Sequence, residues 1–121
     1  MTDLRKVTIG KIGESATAQF LMSKGLKIID RNWRIKDGEI DLVATDRNGK
    51  FHFIEVKTRT SAQFGHPLEA INRDKAYRMQ RLALAWLALH QAFGQDYQID
   101  VAGVQLDNAL RPSIDYRPGV L

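Results

Sequence analysis

Residues 38–59 read GEIDLVATDRNGKFHFIEVKTR, two apolar, strand-like runs joined through Arg47-Asn48-Gly49. An Asn-Gly pair between two such runs is a strong sign of a β-hairpin. Both runs nevertheless contain charged residues, namely Glu39, Asp41, Glu55 and Lys57. Because burying an unpaired charge is so costly that the group usually neutralises instead, these side chains face either water or something that needs their charge.

Side chains alternate between the two faces of a strand, and this alternation predicts where the charges point. In the first run, one face is predicted to carry Glu39, Asp41 and Val43, and the other Ile40, Leu42 and Ala44. In the second run, one face carries Phe53, Glu55 and Lys57, and the other Ile54 and Val56. Apolar residues on both faces are typical of a strand that is covered on both sides. The charged side chains are therefore expected to lie partly against a covered surface.

The rest of the chain predicts helices before and after this hairpin. The predicted elements are a helix from Ile9 to about Lys24 with Thr8 as its cap and Gly25 as its stop, strands Leu26–Ile35, Gly38–Asp46 and Lys50–Lys57, a loop Thr58–Pro67, a helix from the cap Asn72 to about Phe93, and a strand Tyr97–Leu106. The long second helix has the apolar stripe Met79, Leu82, Trp86, Leu89 and Phe93. Residues 1–7 are expected to be irregular, as are residues from about 107 to 121, the latter with at most a short edge strand. This order predicts one α/β domain over residues 1–121 with a mixed sheet.

Composition narrows the classes of function. The 121 residues carry a formal net charge of +4, which tolerates a polyanionic partner without demanding one. The absence of cysteine excludes disulfides, thiol nucleophiles and thiolate metal sites. The first residues lack the apolar run of a signal peptide, and no stretch approaches the roughly 20 apolar residues of a membrane span. A cytoplasmic protein without a membrane partner is the expectation.

The paired runs predict a site for a divalent cation. Hairpin pairing brings Asp41 beside Glu55, and two neighbouring carboxylates repel unless a cation lies between them. Mg²⁺ and Mn²⁺ prefer carboxylate oxygens, and Lys57 lies two residues beyond Glu55 on the same predicted face. Glu14, among small residues on the first helix, is placed to add a third carboxylate by packing over the sheet. A metal, a water and a lysine in this arrangement suit the hydrolysis of a phosphodiester.

Plainer interpretations stay open from the pattern alone. Cross-strand charges often form a ladder at the surface, and Glu14 near a helix N-terminus complements the helix dipole. Lys75, on the same helical face as Met79, is equally consistent with a phosphate contact and with a side chain that extends past the edge of the core. Arg59, the first basic residue after the second run, is consistent with a contact to a nucleic-acid backbone or with ordinary solvation.

The ordered set of Glu14, GEIDL at residues 38–42 and FIEVKTR at residues 53–59 resembles the YraN-like family of small bacterial proteins. These are similar to the restriction-endonuclease-like (PD-D/ExK) nucleases and to archaeal Holliday-junction resolvases. The resemblance runs from about Gly10 to Val104. It implies a restriction-endonuclease-like three-layer sandwich, in which helices flank a mixed central sheet.

The resemblance also implies an activity and roles for individual residues. It implies a Mg²⁺- or Mn²⁺-dependent nuclease for DNA or for branched or structured nucleic acid, with DNA first among the partners and a homodimer left open. Asp41 and Glu55 would be metal ligands, Lys57 the catalytic lysine, and Glu14 the helical acidic residue. Gln98-Ile99-Asp100 stands where the family often has Arg-Phe-Asp. The alternative is a non-catalytic nucleic-acid-binding or adaptor module on the same fold.

Overall fold

The computed structural model describes residues 4–60 and 66–120, without the side chains of residues 69 and 70. The elements in chain order are helix α1 (Leu4–Ser23), strands β1 (Lys27–Ile35), β2 (Gly38–Thr45) and β3 (Phe51–Thr60), a 3₁₀ turn (Pro67–Ala70), helix α2 (Arg73–Leu89), and strands β4 (Tyr97–Leu106) and β5 (Pro112–Arg117). The strands form one sheet in the order β1-β2-β3-β4-β5. Only the β3–β4 pair among them is parallel, so the sheet is mixed, with the predicted hairpin at its centre.

The two helices cover opposite faces of the sheet. On the α2 face, Met79, Leu82, Ala83, Trp86 and Leu87 pack with Ile40, Val43, Phe53, Ile99 and Val101. On the α1 face, Ala18 and Leu21 pack with Leu42, Ala44, Ile54 and Ala102. Both faces of β2 and β3 are therefore buried, as their apolar residues predict. The predicted α/β sandwich of three layers around a mixed sheet is confirmed. No helix within the described ranges is long and apolar enough to cross a bilayer.

Helix α1 begins earlier than its sequence pattern predicts. The prediction of an irregular start is wrong for residues 4–7, which form its first turn, while residues 1–3 lie outside the described part. Thr8 is inside the helix, where its hydroxyl donates to the Leu4 carbonyl at 2.9 Å and does not act as a cap. The predicted stop is confirmed, because Gly25 adopts a φ of 89° and the Leu26 N–H returns to the Leu21 carbonyl at 3.0 Å.

Helix α2 begins as predicted and ends earlier. The Asn72 side chain caps it by accepting a hydrogen bond from the Lys75 N–H at 2.9 Å. The helix ends at Leu89 and not near Phe93, because Gln91 turns into the left-handed region at a φ of 59° and the Ala92 N–H bonds the Leu87 carbonyl. The predicted stripe is therefore wrong at its end, where Leu89 and Phe93 are exposed.

The segment after α2 is more regular than predicted. Of the two alternatives for residues 107–121, the edge strand is observed, since β5 pairs with β4 over Pro112–Arg117. Strand β3 also continues through Thr60 alongside β4, so the predicted loop is wrong for residues 58–60. The next part of that predicted loop, residues 61–65, lies outside the described residues.

A buried carboxylate ties the C-terminal segment to the sheet. Asp100 on β4 is fully buried and accepts from four donors: His52 Nδ1, the Tyr116 hydroxyl, Gln98 Nε2 and the Gly119 N–H. Burial alone would raise the pKa of Asp100, but these hydrogen bonds hold it below the ordinary value. The other ring nitrogen of His52 lies 2.9 Å from Asp46, so each imidazole nitrogen faces a carboxylate. Its hydrogen bond with Asp100 is the main cause of the raised pKa of His52, which favours the imidazolium.

Candidate active site

The alternation of β2 breaks at Asp41. Ile40 and Val43 both pack on the α2 face, whereas Leu42 between them packs on the α1 face. The neighbouring strand β1 is irregular at the same level, where Asn32 adopts a φ of 51°. The prediction that Ile40 shares a face with Leu42 is therefore wrong. For β3, the predicted faces agree with the packing, because Phe53 contributes to the α2-face core and Ile54 to the α1-face core.

Strands β2 and β3 part where the two acidic residues lie. Their described pairing ends at Leu42 opposite Ile54. Beyond that pair, the Asp41 carboxylate accepts a hydrogen bond from the Val56 N–H at 2.7 Å. This side-chain contact replaces the backbone hydrogen bonds between the two strands. Glu55 lies between these two β3 residues. Asp41 is thus held in place at the point where the strands separate.

Asp41 and Glu55 line one cavity of about 270 Å³, here called the acidic cavity. Its lining is Gly38, Glu39, Asp41, Glu55, Lys75, Arg78, Met79 and Leu82. Gly38 is required at its edge, because it has a φ of 151° and an added Cβ would lie 3.1 Å from Leu82. Strands β2 and β3 therefore supply the carboxylates, and α2 supplies the cations above them.

The acidic cavity disfavours two negative charges. Burial raises the pKa of Asp41 to about 6; repulsion by Glu39 adds to this, while the Val56 N–H and Lys57 oppose it. Burial likewise raises the pKa of Glu55 to about 7, together with repulsion by Asp41, against the attraction of nearby Lys75, Lys57 and Arg78. The nearby lysine and arginine side chains thus offset only part of the cost of placing two negative charges here. A bound cation would relieve the remaining cost.

Glu14 approaches from the opposite face of the sheet, on α1. Burial raises its pKa to about 7, and repulsion by Asp41 and Glu39 contributes. Its position depends on Gly13, because a Cβ there would collide with the Thr58 side chain. Only glycine lets α1 pack this closely on β3. Glu14 is electrostatically coupled to Asp41 but is not among the residues that line the acidic cavity.

The basic residues fall into two groups around these acids. Lys75 and Arg78 line the acidic cavity, whereas Lys57 acts on both carboxylates electrostatically without lining it. Arg78 is exposed and at the same time lines the acidic cavity. Its spacing of three residues from Lys75 and four from Leu82 contained the signal that it shares their side of the helix.

Arg59 lies further along β3, half-buried, on the face shared by Glu55 and Lys57. It is not among the residues that line the acidic cavity. Its Nε is buried and has no hydrogen-bond partner among the residues that the structure describes. An orphaned guanidinium nitrogen is costly, and an anionic oxygen would satisfy it.

The donor set fits a hard divalent cation that keeps part of its water shell. Within the described ranges, no three His, Asp or Glu side chains form a ready-made metal site. Asp41 and Glu55 supply two carboxylates to the acidic cavity, whereas Glu39 in the same lining is paired with Arg34 at 2.9 Å. Mg²⁺ commonly binds through one or two carboxylates and retains several waters, whereas structural Zn²⁺ requires four protein ligands. The two acids therefore fit Mg²⁺ or Mn²⁺ better than Zn²⁺.

Comparison with known proteins identifies the family. The sequence profile described as "Uncharacterised protein family UPF0102" matches residues 13–104, which include every acidic residue discussed above. The chain belongs to this family. A UPF0102 protein of Beutenbergia cavernae is 44% identical over 115 residues, covering 95% of this chain and 97% of the relative. One from Paenarthrobacter aurescens is 41% identical over 115 residues, covering 95% and 94%. The resemblance to the YraN-like family is thereby confirmed.

One solved structure shows a partial likeness. A repair endonuclease from Pyrococcus abyssi superposes with a TM-score of 0.44 and 18% sequence identity. The match covers 78% of this chain but only 37% of that one. At this level the superposition transfers neither an activity nor a residue's role to the UPF0102 chain.

The acidic residues predict how stability depends on pH. The folded protein raises the pKa of Glu14, Asp41 and Glu55 to about 7, 6 and 7, so between pH ~4.5 and 7 it binds more protons than the unfolded chain. The free energy of unfolding of the metal-free protein should therefore fall as pH rises from 5 to 8. The raised pKa of His52 acts in the same direction. Urea unfolding in EDTA at both pH values measures this.

A variant without these two acidic charges shows how much Asp41 and Glu55 contribute to the pH dependence of stability. The double substitution Asp41→Asn with Glu55→Gln should flatten the decline, because it removes two of the groups with raised pKa. Adding Mg²⁺ at pH 8 should restore stability to the wild type and not to the variant. Stability that rises between pH 5 and 8 in EDTA would contradict the described electrostatics.

Proposed function

We propose that this protein is a Mg²⁺- or Mn²⁺-dependent nuclease that hydrolyses phosphodiester bonds in DNA or in structured or branched nucleic acid. The observation that carries the proposal is the acidic cavity, where Asp41 and Glu55 lie together beneath Lys75 and Arg78. Clustered acids repel phosphate, so a protein that only binds nucleic acid has no physical need for them. Acids that hold a cation, beside bases that hold phosphate, suit hydrolysis.

Each residue has a proposed role in this activity. Asp41 and Glu55 would hold the metal with help from the Val56 carbonyl, and Glu14 would contribute directly or through a water. When bound, such an ion would supply positive charge for the scissile phosphate and lower the pKa of a water. Lys57 positions the attacking water or stabilises the charge that develops on the phosphate.

The bases around the acids support a polyanionic substrate. Lys75 and Arg78 are placed to contact phosphates at the cavity, and Arg59 has the orphaned buried Nε described above. A phosphate oxygen is a suitable acceptor for that group, since guanidinium–phosphate hydrogen bonds are short and charge-assisted. These contacts give affinity without sequence information.

A cleavage panel tests the proposal. The substrates are single-stranded, duplex, flap and four-way-junction DNA, each with Mg²⁺, Mn²⁺ or EDTA. We expect cleavage of at least one form with either metal and none in EDTA, with binding that weakens as salt rises because phosphate contacts release counterions. A protein that binds neither metal and cuts none of the four forms would be a non-catalytic nucleic-acid-binding or adaptor module, and the nuclease proposal would be wrong.

A further inference from the structure

A second cavity, of about 410 Å³, lies on the other flank of α2. Its apolar lining consists of Leu68, Ile71, Ala76, Val101 and Val120. Its polar lining consists of Asn72, Arg73, Tyr77 and Arg117. We call it the second cavity. Its volume falls within the roughly 300–1,000 Å³ typical of small-molecule sites, and its apolar lining with a few polar groups is typical of them too.

The second cavity lies beside the acidic cavity, next to a neighbouring strand of the sheet. Val101 in its lining pairs with Glu55 on β3, and on its other side with Arg117 on β5. Neighbouring strands lie about 4.8 Å apart, so the cavity begins one strand spacing from an acid of the proposed active site. The N-terminal half of α2 separates the two cavities, with Lys75 and Arg78 on one flank and Arg73 and Tyr77 on the other.

Its polar residues present an aromatic ring and two cations. Tyr77 is 49% exposed although it lines a cavity. Arg73 is exposed and makes no ion pair with the side chains that the structure describes. Arg117 is held by Asp115 through contacts of 2.8 and 2.9 Å, which fix the direction of its guanidinium. An aromatic surface, an apolar wall and arginines together suit a base and the phosphate attached to it.

We propose that the second cavity is a subsite for one unpaired, unstacked nucleotide near the phosphate that is cut. This inference rests on the proposed function for the identity of the ligand. The base lies against Tyr77 and the apolar lining, and Arg73 contacts its phosphate. A base within a duplex is stacked and paired and cannot enter, whereas an unpaired base enters at little cost. The subsite therefore makes the protein prefer DNA with an unpaired nucleotide over fully paired duplex.

Binding in EDTA tests the subsite independently of cleavage. The probe is a DNA duplex with one unpaired 2-aminopurine nucleotide, compared with the same duplex in which 2-aminopurine is paired with thymine. Fluorescence anisotropy gives affinity, and 2-aminopurine emission reports on its stacking. We expect wild type to bind the unpaired probe more tightly, and Tyr77→Ala to weaken that binding by about tenfold, within the range for loss of one stacked base. Binding of the paired probe should change little.

Matched variants separate this subsite from general effects. Tyr77→Phe should keep the preference because it keeps the ring, and Phe93→Ala removes another exposed aromatic residue that lies beyond the end of α2 and should change nothing. Arg73→Ala should weaken binding of the unpaired probe more than Arg111→Ala does. Arg111 lies in the β4–β5 loop and does not line the second cavity. Equal wild-type affinity for both probes, or equal losses in Tyr77→Ala and Phe93→Ala, would overturn the subsite.

The outcomes also distinguish this inference from the proposed nuclease. A preference for the unpaired probe that depends on Tyr77, in a protein that cuts nothing, would retain the subsite and reject the nuclease. Metal-dependent cleavage with no effect of Tyr77→Ala on binding or on substrate choice would do the reverse. A wild type that binds neither probe in EDTA would reject the subsite, while the cleavage panel decides the nuclease separately.

Discussion

The Asp41→Asn variant is expected to lose about 10²–10³-fold or more in the rate of DNA cleavage, the loss typical of removing one preorganised electrostatic group. Asn keeps a side-chain oxygen that can still accept the Val56 N–H, so the junction between β2 and β3 should persist. What it removes is the negative charge that would hold the cation. Single-turnover cleavage with Mg²⁺ measures the rate, and calorimetric titration of Mn²⁺ measures metal affinity.

We expect the loss of activity in this variant to occur without unfolding. The carboxylate of Asp41 is buried beside Glu39 and Glu55, and its pKa is raised to about 6. Removing that charge relieves repulsion in the metal-free protein, so Asp41→Asn should be at least as stable as wild type at pH 8 in EDTA. Its unfolding curve under the assay conditions is the necessary control.

Two further variants give the result its meaning. Lys57→Ala should reduce the rate severely with much less effect on metal affinity, because Lys57 is proposed to act on the water or the phosphate. Glu39→Gln is the matched control, since Glu39 also lines the acidic cavity but pairs with Arg34 at 2.9 Å. If the Asp41→Asn protein cleaves at the wild-type rate, the proposal that Asp41 binds the metal would be wrong. Equal loss of metal affinity in both Asp41→Asn and Lys57→Ala would indicate a structural effect.

Local signals in the sequence were sufficient for most of the fold. The Asn48-Gly49 turn, the Asn72 cap and Gly25 each act within a few residues, and each defines an element in the structure as predicted. The end of α2 was not predictable in the same way. Gln91 adopts the left-handed conformation that glycine usually provides, and nothing in its neighbours marks it.

The site was predictable in composition but not in detail. Strict alternation correctly assigns the faces of β3, where the parallel pairing with β4 is regular. It fails at Ile40, close to the level at which Asn32 of the paired strand β1 adopts a φ of 51°. The sequence of β2 alone does not reveal the backbone conformation of the strand that pairs with it. The second cavity was missed for a similar reason, because its lining comes from the 3₁₀ turn, α2, β4, β5 and the C-terminal segment.

The Asp100→Ala variant is expected to lower the free energy of unfolding by about 3–5 kcal/mol, the range for removing one partner from a buried ionic group. Asp100 is fully buried and accepts from four donors, so its loss leaves these groups, one of which is the half-buried His52 ring, without that acceptor. Asp115→Ala is the matched surface control, because its pairs with Arg117 and His66 are exposed to solvent and should contribute far less to stability. Urea unfolding at pH 6 compares the two. Similar losses in both would show that burial does not set the cost.

The effect of Asp100 on pH dependence has a definite sign. The raised pKa of His52 stabilises the fold fully below pH ~6.5, and this contribution is lost as pH rises through the folded-state pKa. The lowered pKa of Asp100 contributes above about pH 3.8 and is lost as pH falls. Asp100→Ala removes the main cause of the shift at His52. The variant should therefore lose less stability than wild type between pH 6 and 8, so the difference between the two proteins should narrow over that range.

A milder substitution at the same residue, Asp100→Asn, tests whether the hydrogen bonds of Asp100 also shape the second cavity. Asp100 holds Tyr116 on β5 and the Gly119 N–H, and the next residues along the chain in each case, Arg117 and Val120, line the second cavity. Asp100→Asn retains one acceptor oxygen and most of the shape, so it should fold while holding β5 and the C-terminal segment less firmly. We expect it to reduce the preference for an unpaired nucleotide and to leave Mn²⁺ affinity at the acidic cavity unchanged. A folded Asp100→Asn protein that keeps the full preference would show that the network stabilises the sheet without shaping the second cavity.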